Sequence, residues 1–156
     1  MTEPLPFGGA LVDKRHQLPV RVYYEDTDAA GIVYYANYLK FMERGRTDFL
    51  RLLNVEHGRL IAGVHGQPIG FVVRRAEVDY LAPARLGDLL AVVTGIVSCT
   101  GATVTMAQVV RRDDTVLAKG LVKAAVIGQD GRPRPLPRPI RHIFNTLVCS
   151  DAPARG

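Results

Sequence analysis

The segment that decides the fold is residues 37–53, which read NYLKFMERGRTDFLRLL. Its apolar side chains recur at steps of three and four residues, and charged side chains occupy most positions between them. Positions with this spacing fall on one face of an α-helix. We therefore predict an amphipathic helix of about 17 residues, buried on one face and charged on the other.

The chain that follows this helix has the pattern of β-strands. Apolar and β-branched residues alternate or run together in four stretches, with turn residues between them, and one more such stretch precedes the helix. The predicted strands are residues 19–24, 69–80, 89–97, 103–111 and 116–127. Within residues 69–80, the apolar residues change from odd-numbered to even-numbered positions, which predicts a β-bulge there.

These elements together predict the fold class. One helix cannot cover a five-stranded sheet unless the sheet curls around it. We therefore predict an α+β fold, in which a five-stranded antiparallel sheet wraps around one long central helix. The four strands after the helix are expected to pair in antiparallel succession, and a short helix is expected near residues 56–62.

The two ends of the chain differ in composition from the part between them. Residues 1–18 contain two prolines and a Gly-Gly pair, and we predict a loose leader. Within residues 129–156, Pro133, Pro135, Pro137 and Pro139 alternate with arginines and a leucine, and proline has no N–H to donate to a sheet. We predict an extended surface tail there, with a last helical turn or two at residues 140–147. The domain proper is predicted to span residues 19–128.

The composition excludes several classes of protein. The 156 residues suit a single domain, and 47% hydrophobic with 22% charged residues is typical of a folded protein rather than a disordered one. The net charge of +5 is compatible with an anionic partner but selects none. Two cysteines without a C-x-x-C pair do not form a disulfide or zinc framework, and they favour a reducing compartment.

No targeting segment or membrane span is predicted. The chain begins Met1-Thr2-Glu3-Pro4 and has no run near the ~18 apolar residues that a span requires. We therefore expect a cytoplasmic protein. Motifs of serine hydrolases, zinc proteases and nucleotide-binding loops do not occur in the sequence. No two of the four histidines lie four residues apart, so no metal site is predicted.

An unusual cluster of polar and aromatic residues precedes the helix. Residues 23–38 read YYEDTDAAGIVYYANY, with three carboxylates within residues 25–28 and five tyrosines. Carboxylates favour helix N-termini because they complement the helix dipole and accept from free N–H groups. Capping needs one carboxylate near the first turn, whereas these lie further upstream. From the pattern alone, a functional loop and a capping loop both remain open.

Here the sequence resembles a known family. The spacing Y-x-D-x-D-x-x-G-x-x-Y-x-x-N-Y from Tyr24, followed by F-x-E-x-x-R from Phe41, is similar to that of the hot-dog-fold acyl-CoA thioesterases. The nearest subgroup is that of 4-hydroxybenzoyl-CoA thioesterase and the Tol–Pal-associated acyl-CoA thioesterase. The stretches FVVRR at residues 71–75 and YLAPAR at residues 80–85 resemble the same subgroup.

The resemblance implies a reaction and an assembly. It implies hydrolysis of an acyl-CoA to the free acid and CoA, with Asp28 as nucleophile or general base. A backbone N–H near Tyr35, at the start of the central helix, would polarise the thioester carbonyl. Asp26 is expected to bond the loop backbone instead. The family also implies a homodimer or homotetramer with the active site at the subunit interface.

The resemblance implies further site residues. Those expected to contact the substrate are Gly31, Val33, Tyr34, Asn37, Phe71, Val72 and Val73. Basic residues are expected near the coenzyme A phosphates because guanidinium and ammonium groups bind them. The candidates are Arg74, Arg75, Arg85, Arg111, Arg112 and Lys123. No cofactor, metal or nucleic-acid partner is implied, since the coenzyme A thioester is the substrate.

One departure from the subgroup bears on the acyl group. Tol–Pal-associated members usually carry histidine where this chain has Tyr35, whereas the 4-hydroxybenzoyl-CoA enzyme has tyrosine there. This favours an aromatic acyl group over a short aliphatic one and leaves both open. A hot-dog hydratase is disfavoured because no histidine lies between His16 and His57. The alternative from another class is a non-catalytic acyl-CoA-binding or scaffold protein of an envelope-associated complex.

Overall fold

The structure is a computed structural model that describes residues 8–149. The described elements, in chain order, are β1 (Ala10–Val12), β2 (Arg15–Arg21), a 3-10 turn (Tyr24–Asp26), α1 (Asn37–Leu52), α2 (His57–Ile61), β3 (Ile69–Tyr80), β4 (Leu89–Thr100), β5 (Thr103–Arg112), β6 (Thr115–Gly128) and α3 (Arg138–Thr146). None of the helices in this part of the chain is long and apolar enough to cross a membrane.

One antiparallel sheet of six strands, in the order β1-β2-β4-β5-β6-β3, holds the fold together. The predicted α+β class is confirmed, with one strand more than expected. The predicted succession of the last four strands is wrong in one respect, because β3 pairs with β6 and not with β4. Connections of two residues force β4, β5 and β6 into hairpins, whereas the longer connection over residues 81–88 lets β3 lie at the far edge. The predicted bulge is confirmed by a register shift between Val73 and Arg75.

The long helix α1 begins at Asn37 and ends at Leu52, close to the predicted bounds. Its buried face includes Phe41, Met42 and Phe49, which pack against the sheet in two apolar clusters. Gly45 lies on the same buried face, where a Cβ atom would be only 2.8 Å from Val92 Cγ1. The lack of a side chain at Gly45 therefore allows a close approach of the helix to the sheet at this position.

The structure differs from the loose leader expected over residues 1–18. Residues 1–7 lie outside the described part of the chain, but β1 and β2 form a hairpin within residues 10–21. Asp13 and Lys14 both have positive φ in its two-residue turn, the conformation for which glycine or asparagine is the usual signal. The strand expected at residues 19–24 is displaced accordingly, since β2 ends at Arg21.

The described portion of the expected surface tail is also different. Leu136, Ile140 and Phe144 are buried in the same apolar cluster as Phe49, and the last two lie on α3. The isolated strand pairing of Ile127 with Pro133 folds the proline-rich segment back onto β6. Residues 150–156 lie outside the described part. The domain bounds of 19–128 stay a prediction, but packed structure extends beyond both of them.

Candidate functional site

The acidic loop is organised around a buried carboxylate, that of Asp26. Its side chain accepts a hydrogen bond from the Tyr23 N–H at 2.8 Å. Its carbonyl oxygen accepts from the Tyr34 N–H at 2.9 Å and from Asn37 Nδ2 at 2.9 Å. The expectation that Asp26 bonds loop backbone is confirmed. Asn37, a predicted substrate contact, is buried, and its amide fixes the loop to the first residue of α1.

Asp28 lies two residues further on and is exposed. Its Oδ1 accepts from the Ala30 N–H at 2.9 Å, and its own N–H donates to the Ile32 carbonyl at 2.9 Å. Gly31 closes the turn with φ +78°, and no described atom lies within 4 Å of where its Cβ would be. The requirement for glycine is therefore one of backbone conformation rather than of space.

The start of α1 offers free hydrogen-bond donors. The first N–H groups of a helix have no partner inside it, and they carry the positive end of its dipole. The Asn37 N–H donates to the Tyr34 carbonyl at 2.8 Å. Within residues 8–149, no acceptor meets the N–H groups of Tyr35 and Ala36. An oxyanion placed there would therefore find donors that need no rearrangement.

Aromatic side chains hold this helix start in place. The Tyr80 hydroxyl donates to the Tyr35 carbonyl at 3.1 Å, and the Tyr80 ring packs edge-on against the rings of Tyr35 and Tyr38. The Tyr38 hydroxyl accepts from the Ala84 N–H at 3.1 Å. The pKa of Tyr34 is raised by its interaction with the Tyr35 phenol first, and the Asp28 charge acts in the same direction. Val33, another predicted substrate contact, is buried in the core.

A cavity of about 130 Å³ lies between α1 and β3. The predicted substrate contacts Phe71, Val72 and Val73 line it. Its polar lining was not predicted and consists of Glu43, Arg46, Thr47 and His57. The Thr47 hydroxyl donates to Glu43 Oε1 at 2.5 Å and lies 3.2 Å from His57 Nε2. Because that hydroxyl has a single proton, the imidazole is the donor toward Thr47.

The loop and the cavity lie at different heights along α1. Asp28, Gly31 and Tyr35 surround its start, whereas the cavity lies beside residues 43–50. Asn37 and Glu43 are separated by about 9 Å along the helix axis, at 1.5 Å per residue. Within one chain, the structure therefore does not bring the predicted residues 71–73 to the predicted catalytic loop.

The profile of the thioesterase superfamily matches residues 30–119. The chain belongs to the thioesterase superfamily. This superfamily member is 40% identical to acyl-CoA thioesterase YbgC of Haemophilus influenzae over 139 residues, which cover 88% of this chain and 99% of that protein. The family resemblance predicted from the motifs is thereby confirmed.

Solved structures agree with this assignment. A probable thioesterase from Bartonella henselae is 40% identical to this superfamily member, with a TM-score of 0.77 over 79% of this chain and 99% of that one. A thioesterase from Thermus thermophilus, solved with coenzyme A and zinc, is 32% identical, with a TM-score of 0.69 over 84% of this chain and 92% of that one. The hot-dog fold expected for this superfamily member is therefore confirmed.

The six basic residues that are predicted to bind phosphates do not form one cluster in this chain. Arg112 is paired with Asp88 at 2.7 Å. Arg75 is paired with Glu77 at 2.5 Å and shares a shallow pocket with Lys123. Arg111 lines a separate groove near β1, whereas Arg74 and Arg85 are exposed.

The sequence analysis did not predict a basic groove that the structure shows in this chain. His65, Arg134, Arg138 and Arg141 line a groove of about 430 Å³ beside the start of α3. The proline-rich pattern suggested a solvated tail, so nothing in the sequence indicated that these residues converge. Residues 8–149 contain no group of three or more His, Cys, Asp or Glu side chains that could hold a metal ion.

Proposed function

We propose that the chain hydrolyses an acyl-CoA to the free acid and CoA, at a site formed by Asp28 and the start of α1. The observation that carries this proposal is the exposed carboxylate of Asp28 in the loop that leads to the unoccupied N–H groups of Tyr35 and Ala36. The relatives named acyl-CoA thioesterase support the choice of substrate class, and they favour an enzyme over a non-catalytic acyl-CoA-binding or scaffold protein.

The proposed chemistry uses the charge that develops on the thioester oxygen. The N–H of Tyr35 donates to that oxygen as the tetrahedral centre forms, and such a donor typically contributes about 10²–10³-fold to the rate. Asp28 then acts in one of two ways. As nucleophile, it forms an acyl anhydride while the C–S bond breaks, and water cleaves the anhydride. As general base, it takes a proton from the attacking water and returns it to the leaving sulfur.

The two routes differ in whether the enzyme is acylated. A single turnover quenched in acid and analysed by mass spectrometry separates them. The nucleophilic route predicts a transient Asp28 peptide heavier by the acyl group. The general-base route predicts the unmodified peptide at every time point. Neither route requires a cofactor, because the coenzyme A belongs to the substrate.

The edge of the sheet supports an oligomeric form of the enzyme. β3 has twelve residues and pairs with β6 on one side, and its other side has no strand partner within residues 8–149. Val72 and Val73 are 39% and 50% exposed there. Long edges of this kind are pairing surfaces. We propose that β3 joins two copies in a dimer or tetramer, so that residues 71–73 meet the catalytic loop of the neighbouring subunit.

Three finer points complete the proposal. Arg75 and Lys123 are the predicted phosphate contacts that lie together, and a nucleotide end bound there would displace Glu77 from Arg75. Tyr35 in the position of the usual histidine favours an aromatic acyl group over a short aliphatic one. The cytoplasm is the proposed location, because free cysteines without a disulfide framework favour a reducing compartment.

Thiol release from a panel of aromatic and aliphatic acyl-CoAs tests the proposed function. Asp28→Asn should retain the fold and lose at least about 10²-fold in kcat, since the amide is neither base nor nucleophile. Glu25→Gln is the matched control, because Glu25 is an exposed carboxylate of the same loop. If the wild-type protein binds acyl-CoA without releasing thiol, the result supports the alternative of a non-catalytic acyl-CoA-binding or scaffold protein. Equal kcat for Asp28→Asn and wild type would remove Asp28 from the mechanism.

A further inference from the structure

One cation of α1 is partly buried with a neutral partner. Arg46 lines the cavity between α1 and β3, and its Nη1 donates to Gln108 Oε1 at 2.9 Å. Among the described residues, Arg46 forms no ion pair. Burial lowers the pKa of its guanidinium, and the charge of Glu43 acts in the opposite direction.

The sheet fixes where this guanidinium lies. Gln108 Nε2 donates to the Met42 carbonyl at 2.8 Å and to Thr94 Oγ1 at 2.8 Å. With both donors of the amide used, its oxygen faces Arg46. Gly45 allows this contact, since a Cβ there would come within 3.3 Å of Gln108 Nε2. Residues of α1, β4 and β5 thus hold one cation at the cavity wall.

A positioned cation of this kind is an anion-binding group. Arg46 is half-buried, so its guanidinium loses part of its water, and a counter-charge can replace that lost solvation. A guanidinium has five N–H donors, and the described chain engages one of them. The remaining donors suit a carboxylate, which guanidinium binds with two parallel hydrogen bonds.

The cavity restricts the size and character of that anion. Its volume of about 130 Å³ suits a small molecule. Phe71, Val104 and Met106 form an apolar wall. Glu43 is the one carboxylate in the lining, and its Oε1 is already bonded to Thr47. A ligand with one carboxylate and a short hydrocarbon tail matches both the cation and the wall.

We propose that this cavity binds a small carboxylate, with its oxygens on the Arg46 guanidinium and its tail on the apolar wall. Two sources share this chemistry. One is the free acid released by the hydrolysis, and the other is the distal carboxylate of a dicarboxylic acyl group whose thioester lies at the catalytic loop of the neighbouring subunit. Both sources rest on the proposed function, whereas the binding of a carboxylate as such does not.

Titration with butyrate and with butyramide, its neutral isostere, tests the binding. Saturation-transfer NMR should show that wild type binds butyrate more tightly than butyramide. Arg46→Gln keeps a hydrogen-bond donor for Gln108. It should lower the affinity for butyrate about 10- to 100-fold and leave the affinity for butyramide unchanged. Arg44→Gln is the matched control, since Arg44 is an exposed cation of the same helix. Glu43→Gln should raise the affinity for butyrate, because it removes a negative charge from the cavity lining.

The comparison of butyrate with butyramide on the wild-type protein does not depend on whether Arg46→Gln folds, so it decides whether the cavity selects a carboxylate. Equal affinity of wild type for butyrate and butyramide would overturn the proposal. So would unchanged butyrate binding in a folded Arg46→Gln protein, as judged by melting temperature.

Kinetics then separate the two sources. If the acid product is the ligand, butyrate should inhibit thiol release by wild type but not by Arg46→Gln. If the distal carboxylate is the ligand, wild type should prefer glutaryl-CoA to butyryl-CoA, and Arg46→Gln should lose that preference. If a wild type that releases thiol shows neither effect, both sources are excluded and the proposed function stays intact, while the butyrate titration decides the binding. A wild type that hydrolyses no acyl-CoA would remove the proposed function, and butyrate titration would still decide the site.

Discussion

Asn37→Ala separates two roles for the residue that begins α1. The family motif suggested a substrate contact, whereas the structure has the Asn37 amide buried and donating to the Asp26 carbonyl at 2.9 Å. That carbonyl keeps its second hydrogen bond, from the Tyr34 N–H at 2.9 Å. It is therefore not left unsatisfied, and the expected loss is about 1 kcal/mol of the free energy of unfolding. For a chain of this length, that corresponds to a melting temperature lower by about 2–4 °C.

Asn37→Asp is the sharper version of the same perturbation. It puts a carboxylate oxygen where the Nδ2 donor stood, 2.9 Å from the Asp26 carbonyl oxygen. Two acceptors then face each other in a buried position, and an unpaired buried charge costs roughly 3 kcal/mol or more. The melting temperature of Asn37→Asp should therefore fall below that of Asn37→Ala, although aspartate has nearly the same shape as asparagine.

The kinetic consequence follows from the same contact. The Asn37 amide joins the acidic loop to the helix, so its loss should misplace Asp28 relative to the Tyr35 N–H. Misplacement of a reacting group by about 1 Å can cost 10²-fold in rate. We expect kcat of Asn37→Ala to fall while KM for acyl-CoA stays near that of wild type. Calorimetry and thiol release would refute this reasoning if Asn37→Ala kept its melting temperature and kcat but raised KM.

The remaining predictions concern the helix start, the loop glycine and a buried histidine. Tyr35→Phe should retain kcat within a few-fold, since the backbone N–H is unchanged, whereas Tyr35→Pro removes that donor and should cost about 10²–10³-fold; a large kcat loss in Tyr35→Phe at unchanged melting temperature would make the phenol part of the mechanism. Gly31→Val should lower both solubility and kcat, because a β-branched residue is strained at φ +78°; a fully active Gly31→Val protein would contradict this. Burial lowers the pKa of His16 below its ordinary 6.5, against the opposing effect of its 2.6 Å contact with Asp48. The unfolded chain then binds the proton more readily than the folded one, so the contribution of His16 to the free energy of unfolding should be constant above about pH 7 and fall as the pH drops through 6.5. Urea titrations at several pH values check this, and His16→Gln should flatten the curve.

The sequence by itself determined the features that depend on local spacing. The apolar period of residues 37–53 fixed α1 within one residue of its observed ends, because one turn of a helix involves only near neighbours. The parity shift within residues 69–80 located the bulge in β3. The motif of the acidic loop and its glycine predicted the family, because all of its residues lie within one short stretch of chain.

Only the tertiary structure decided which groups meet across the sheet. The pairing of His16 with Asp48 ties the N-terminal hairpin to α1 across 32 positions of sequence. Gln108 reaches Arg46 across 62 positions, and no periodicity links the two residues. The burial of α3 likewise depends on an apolar cluster assembled from distant elements. Local pattern fixes an element, but the partner of a buried polar group depends on the packing of the whole chain.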